Sequence, residues 1–321
     1  VSELVAATGR YLDQILRESH PVWHDGLDFA AYVKFWAAQC RTPWGRAHLD
    51  RVALVEGGRV LCSAKRYDLS ARLDGRIRRV LGIGALFTSP AYRGRGCART
   101  LLERLFERAM AEGYEYAMLF SEIDPSFYER LGFVPVPLME SRLEVSRRSG
   151  APAMLVRAGD DRDIPALAEM SAARLAPFRF ALDRTEDWIR YGITKRRLLA
   201  GLGPRGLRQV EFLVAEEGHQ AVAYVVCTVQ AGRWFIDDAG DRDPAGARVG
   251  AILQTMIARN PHVDPPDIVA WMPHGFDPPQ LRRVHSVPVA GVLMIRPLEG
   301  RMLPMPPLDA AQVAYWRLDY F

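Results

Sequence analysis

The 321-residue sequence has no run of about eighteen apolar residues, so no membrane-spanning helix is expected. Val1–Arg10 lack the charged start and apolar core of a secretion signal. The four cysteines (Cys40, Cys62, Cys97 and Cys227) are far apart and without metal-ligand spacing. They are expected to be reduced thiols in a cytoplasmic protein. The seven histidines are equally scattered, with no HExxH pair, so no metal is expected. Nor is there a basic run with interleaved aromatics, and a formal charge of +4 is small for this length. Nucleic acid and membrane are therefore poor candidates as partners. The sequence leaves the oligomeric state open.

What is present is apolar mass for two cores in a chain long enough for two domains. Ser2–Arg51 reads as helical, broken at Pro21 and Gly26. Three strands follow: Val52–Val55, Val60–Tyr67 and Ile77–Thr88. They are joined at Gly57-Gly58 and Asp74-Gly75, which predicts antiparallel hairpins. Ala98, Leu101, Leu102, Leu105, Phe106 and Ala109 form the apolar stripe of a helix that stops near Gly113. Tyr114–Phe120 is a strand and Pro125–Arg130 a short helix. Phe133–Val136 and Met139–Val145 are expected to close this first unit, residues 1–148.

Ser146–Pro152 reads as a linker. A second unit, residues 149–298, repeats the order: strand Met154–Val156, helix Ile164–Leu175, strands at Phe212–Ala215, Ala221–Gln230 and Trp234–Asp237, helix Val249–Ala258, strand Ile268–Trp271, and a closing strand Val289–Ile295. Residues 299–321 form a tail ending in an aromatic run. The expected class is α/β (α+β), with two related domains, each a mostly antiparallel twisted sheet flanked by helices.

The strongest local signal is Arg93-Gly94-Arg95-Gly96-Cys97-Ala98-Arg99-Thr100 between a strand and an amphipathic helix. Gly94 and Gly96 remove side chains where backbone must approach a ligand. The amides opening the helix lack intrahelical partners and carry the positive end of its dipole. Together they make a diphosphate cradle, with Arg93, Arg95 and Arg99 adding charge. Cys97 fits best as a small residue facing the sheet. The matching loop of the second unit, Asp241–Gly250, has lost the glycine pattern and carries Asp241 and Asp243, so that unit is not expected to bind a diphosphate.

Arg93, Gly96 and Ala98 match the Arg/Gln-x-x-Gly-x-Gly/Ala motif of the Gcn5-related N-acetyltransferase (GNAT) superfamily, which the region Val52–Val145 resembles. Tyr128, Gly132 and Phe133 match its later Tyr-x-x-x-Gly-Phe element. The resemblance implies that the amides of Arg95–Thr100 bind the diphosphate of acetyl-coenzyme A. It also implies that Leu86, Phe87 and Thr88 bond the pantetheine arm, and that Tyr128 protonates the departing thiolate. The family often places a carboxylate base on the strand before the loop; Leu81–Thr88 has none. Glu122 and Asp124 are candidates to hold a water or the amine, Asp124 also reading as a helix cap.

The tandem organisation resembles the enhanced-intracellular-survival (Eis) acetyltransferases, in which the C-terminal carboxylate is the base. Ser121 and Tyr128 are similar to their Ser…Tyr segment, with two extra residues between them. That resemblance makes Phe321, or Asp319 near it, a candidate base. Leu119–Tyr128 is also similar to fungal lysine N6-acetyltransferases. Asp237 and Asp238, ending a strand of the second unit, are candidates to attract a cationic substrate. The expected partner is a small-molecule amine: an amino acid, a polyamine or an amine-bearing antibiotic. A non-catalytic acyl-CoA sensor and a protein-lysine acetyltransferase are the alternatives.

Overall fold

In the computed structural model, residues 1–146, 154–259, 266–298 and 307–321 are described. In chain order they form β1 (Glu3–Ala6), α1 (Gly9–Trp23), α2 (Phe29–Arg41), α3 (Pro43–His48), β2 (Leu49–Glu56), β3 (Arg59–Leu73), β4 (Arg76–Thr88), α4 (Cys97–Ala111), β5 (Tyr116–Ser121), α5 (Ser126–Glu129), β6 (Val134–Val136) and β7 (Met139–Val145). Then come β8 (Leu155–Ala158), α6 (Ile164–Leu175), β9 (Phe180–Leu182), α7 (Glu186–Leu202), β10 (Arg208–Glu217), β11 (Gln220–Gln230), β12 (Arg233–Asp241), α8 (Ala247–Arg259), β13 (Asp267–Ala270), β14 (Leu281–Pro288), β15 (Val292–Pro297) and β16 (Val313–Ala314). Most of the linker and the start of the tail lie outside the described residues.

The first sheet runs β1-β2-β3-β4-β5-β15-β6, with the short β9 paired to β3 and to β16. The second runs β14-β7-β13-β12-β11-β10-β8. Each has three antiparallel strands, a helix, and a strand added parallel: β4 with β5 across α4, and β12 with β13 across α8. The closing strands are exchanged between the sheets, which corrects the expected division at 148. Met139–Val145 pairs with β13 and β14 of the second sheet. Val292–Pro297 pairs with β5 and β6 of the first. Both are short strands whose local pattern suits either sheet, so long-range pairing decides their place.

Pro21 does not break α1; it sits inside the helix, and the break falls at Asp25 and Gly26, both at positive φ. The first residues form an edge strand rather than a helix, Leu4 pairing with Leu54. Helix α7 was not foreseen. Its signals are a Thr185 cap that accepts from the Trp188 amide, then Glu186 and Asp187 at the positive end of the dipole. α7 buries Trp188, Ile189, Tyr191 and Ile193. Trp188 and Tyr191 both pack on Trp44, with ring centroids 4.6 Å away in each case. It thereby joins the N-terminal helices to the second sheet.

The two faces of the first sheet are distinct. α4 packs its Leu101, Leu102 and Leu105 over Leu54, Ala64, Leu81, Ala117 and Leu119. The opposite face carries Tyr67, Leu69, Val80 and Met118 under α2, α7 and the C-terminal segment. That segment is anchored by a buried ion triad. Arg184 Nε donates to Asp319 at 3.0 Å, and its Nη1 and Nη2 donate to Asp238. Trp188 Nε1 also donates to Asp319 at 2.8 Å. Removing one member of such a group leaves uncompensated buried charge. Arg184→Met is therefore expected to lower stability by about 3–5 kcal/mol in urea denaturation; a change under about 1 kcal/mol would show that the triad is not the anchor.

Candidate active site

Strands β4 and β5 pair only from Val80 opposite Tyr116 to Ile83 opposite Leu119. Beyond that they part. β4 bulges where Ala85 takes φ 45°, an uncommon conformation for a non-glycine residue. Phe87 and Thr88 stay bonded to β3, opposite Ser63 and Cys62, while among the described residues no strand pairs with their other edge. Leu86 is half-buried there and Phe87 packs on Trp23 at 5.8 Å. On the far side of the gap, Phe120 and Ser121 turn to β15 for pairing.

The loop after β4 is tied down by Ser89, whose amide donates to Leu61 O at 3.0 Å and whose hydroxyl donates to Glu18. Gly94 (φ 74°) and Gly96 (φ 77°) take left-handed conformations, and the space where a Cβ would stand is open at both. Gly96 is the N-cap of α4 and supplies no side chain to its amides; the first helical bond is Thr100 N to Gly96 O at 3.0 Å. The amides of Cys97, Ala98 and Arg99 thus open the helix uncapped. A concave, uncapped helix start of this kind fits a diphosphate. The arginines are less concentrated than the sequence suggests. Arg93 Nε donates to Thr88 O at 3.3 Å, and Arg99 pairs with Glu103 at 2.7 Å. Arg95 lies over the Tyr92 ring. Cys97 and Ala98 pack against the apolar cluster under α4.

Tyr128, on α5, packs on Phe127 and Phe133. Burial, with Cys62 and Glu122 nearby, pushes its phenol up to about 12. The Cys62 thiol in turn accepts from Thr88 Oγ1 at 3.5 Å. Ser121 is buried, and its hydroxyl has no hydrogen-bond partner among the described residues.

The candidate acids behave differently. Asp124 caps its own turn, accepting from the Ser126 amide (2.9 Å) and hydroxyl (2.7 Å), so the capping reading replaces the substrate-binding one. Glu122 accepts from the Tyr320 hydroxyl of the C-terminal segment. Asp237, Asp238 and Asp319 do not offer charge to a substrate: each is buried and paired. Asp237 is held by Arg196, Arg317 and Thr228, and Asp238 by Arg184 and by Tyr224 at 3.1 Å. The sequence shows the acids but not the arginines that meet them.

Phe321 reaches the face of β4 opposite α4. A Cβ on Gly82 would come within 3.2 Å of its ring, and one on Gly84 within 3.7 Å of its carbonyl carbon and oxygen. Its ring also packs on Tyr67 at 4.9 Å and Phe120 at 5.8 Å. Lys195 Nζ holds the preceding carbonyl, Tyr320 O, at 2.9 Å. The overlooked signal was Gly82-x-Gly84, two gaps on one strand face that admit the aromatic end. In the second unit, the place of the cradle is filled from within. Asp241 accepts from the Arg248 amide at 2.9 Å, the Asp243 amide at 2.8 Å and Arg248 Nη1 at 3.0 Å.

Residues 11–136 match the family model described as the acetyltransferase (GNAT) domain. A GCN5-related N-acetyltransferase from Kribbella flavida is similar over 92% of this chain and 70% of its own, with TM-score 0.68 and 18% identity. Eis1 from Mycobacterium abscessus is similar over 93% and 74%, with TM-score 0.56 and 14% identity. Saccharomyces cerevisiae N-myristoyltransferase with bound myristoyl-CoA is similar over 92% and 82%, with TM-score 0.54 and 9% identity. No curated protein matches the sequence. Residues 11–136 thus match a GNAT acetyltransferase domain, and the chain as a whole shares its fold with GCN5-related N-acetyltransferases. Among the described residues no helix is long and apolar enough to cross a membrane.

Gly96→Glu adds left-handed strain of roughly 1–2 kcal/mol and a carboxylate among the cradle amides. Coenzyme A affinity is expected to fall about a hundredfold or more by calorimetry; retained affinity would contradict the cradle.

Proposed function

We propose that this protein transfers an acetyl group from acetyl-CoA directly to a primary amine of a small molecule. The observation that carries the reading is the single gap between β4 and β5. In this reading the uncapped α4 amides serve one end of it, and Tyr128 and Ser121, whose hydroxyl has no partner among the described residues, serve the other.

In this reading the amides of Arg95–Thr100, flanked by Arg93 and Gly94, hold the diphosphate. The free edge of Leu86–Thr88 bonds the pantetheine arm as an added strand would. The thioester then lies in the gap, where bulged backbone offers hydrogen bonds to the oxygen of the tetrahedral intermediate. The amine attacks from the face that Phe321 and Tyr320 cover. It must first be neutral, which at pH 7 costs an alkyl amine about 4 kcal/mol. No carboxylate stands on β4 to take that proton, and Phe321 lies over Gly84 instead. Where Phe321 is the last residue, its carboxylate takes this role, with Glu122 behind Tyr320 as the next acid. Collapse of the intermediate expels the coenzyme A thiolate, to which Tyr128 gives its proton. A phenol held near 12 is fully protonated throughout the working range, as a general acid requires. The enclosure of this face by the C-terminal segment favours a small acceptor over a protein chain.

Tyr128→Phe is expected to lower kcat by about a hundredfold, within the usual range for a general acid, with little change in the KM for acetyl-CoA. Because the phenol titrates near 12, the wild-type kcat is expected to show no loss from this group up to pH 10. An unchanged kcat in the variant would remove Tyr128 from the chemistry. Addition of one alanine after Phe321 is expected to abolish most turnover while coenzyme A still binds; unchanged kcat/KM would exclude a carboxylate at that position.

A further inference from the structure

The acceptor face of the first sheet holds a polar cluster that the transfer chemistry does not use. Arg51 on β2 lies opposite Lys65 on β3, and Lys65 lies opposite Gly84 on β4. The three positions form one row across the sheet, spanning two strand spacings, about 10 Å. Ser63 and Tyr67, two residues either side of Lys65, share its face. This is the face on which Phe321 lies over Gly84.

Arg51 is only 3% exposed, and none of its three guanidinium nitrogens has a hydrogen-bond partner among the described residues. The buried Tyr67 and Ser63 hydroxyls are unpartnered as well. The Tyr32 hydroxyl beside Arg51, a neutral and weak acceptor for its guanidinium, is bonded to Ser19 at 3.2 Å. The indole of Trp36 forms a wall, 4.8 Å from the Arg51 guanidinium and 5.6 Å from Lys65 Nζ. Among the described residues neither Arg51 nor Lys65 forms an ion pair. The acids of the region are engaged elsewhere: Asp50 lies 3.6 Å from Arg66, and Asp237, Asp238 and Asp319 are held by arginines. Native proteins rarely bury a guanidinium with no acceptor, and such an orphan calls for a missing partner.

We propose that Arg51, Lys65 and Tyr67 bind an acidic group on the acceptor, so that the amine acetylated here belongs to an anionic or zwitterionic molecule such as an amino carboxylic acid. This rests on the acetyltransferase reading above and names its substrate class. The charge pattern favours it over a polyamine or aminoglycoside, whose extra ammonium groups would meet the cations Arg51, Lys65 and Lys195. A cationic surround also helps the chemistry, since it favours the neutral, nucleophilic form of the incoming amine. In keeping with an absent counter-ion, burial, then neighbouring Arg51, pushes the Lys65 ammonium down to about 8. Burial, then Lys65 and Arg196, holds Lys195 well below its ordinary value. The nearby acid that acts on both is Asp25, on the exposed turn between α1 and α2.

Calorimetry on the coenzyme A-saturated protein tests this with three amines of equal chain length: 5-aminopentanoate, 5-aminopentanamide and pentane-1,5-diamine. The aminocarboxylate is expected to bind at least tenfold more tightly than the other two. That preference is expected to vanish in Arg51→Met and, separately, in Lys65→Met, each first shown to fold by thermal denaturation. Equal affinity for all three, tighter binding of the diamine, a preference that survives both substitutions, or no binding of any amine would overturn the proposal. Thiol release from acetyl-CoA, measured with the same amines, keeps the two readings apart. Turnover of the diamine without preference for the acid sinks this inference alone, whereas no turnover with any amine counts against the transferase reading.

Discussion

The first turn of α4 presents amides that no side chain caps, because the residue at the cap position is Gly96 in a left-handed conformation. A helix start left open this way is stable in water but binds an anion whenever one fits. The rest of the active domain can be understood as holding that turn in register with the gap between β4 and β5. Leu101, Leu102 and Leu105 fix α4 on the sheet, Ser89 ties the incoming loop to α1 and β3, and the Ala85 bulge ends the pairing that would otherwise close the gap. The second unit shows the converse. There Asp241 folds onto the start of α8 and satisfies the equivalent amides with the chain's own carboxylate. One duplicated arrangement is open to a ligand and the other is filled from within.

The filled unit is not idle. By exchanging β7 and β15, each sheet completes the other, so neither half has a sheet closed by its own strands. Its cations hold the C-terminal segment: Arg184 grips Asp319, Arg196 holds Arg317 O, and Lys195 holds Tyr320 O. These bonds bring Phe321 to the two glycines of β4. The second domain therefore shapes the acceptor side of the first by anchoring a tail rather than by offering charge of its own.

Much of this was legible in the sequence, and the illegible part has a common cause. The hairpins, the Arg93–Thr100 loop, the α4 stripe and the Tyr128 turn are local patterns, and local patterns survive reading one residue at a time. Asp237 and Asp238 were misjudged because Arg184, Arg196 and Arg317 are distant in sequence, and only the fold shows that they neutralise the two acids. The strand exchange was missed for the same reason, since β7 and β15 read alike whichever sheet they join. The part played by Gly82 and Gly84 depends on the aromatic end of the chain, which only the fold sets against them. Arg51 and Lys65 are set apart only by their place beside Trp36 with no ion-pairing acid among the described residues, which the fold alone shows.

The most direct measurement is a crystal structure of the protein with coenzyme A. The account requires the diphosphate on the amides that open α4, the pantetheine along Leu86–Thr88, and the sulfur within reach of the Tyr128 hydroxyl, with the start of α8 still held by Asp241. Density for the diphosphate at α8, or a thiol directed away from Tyr128, would contradict it.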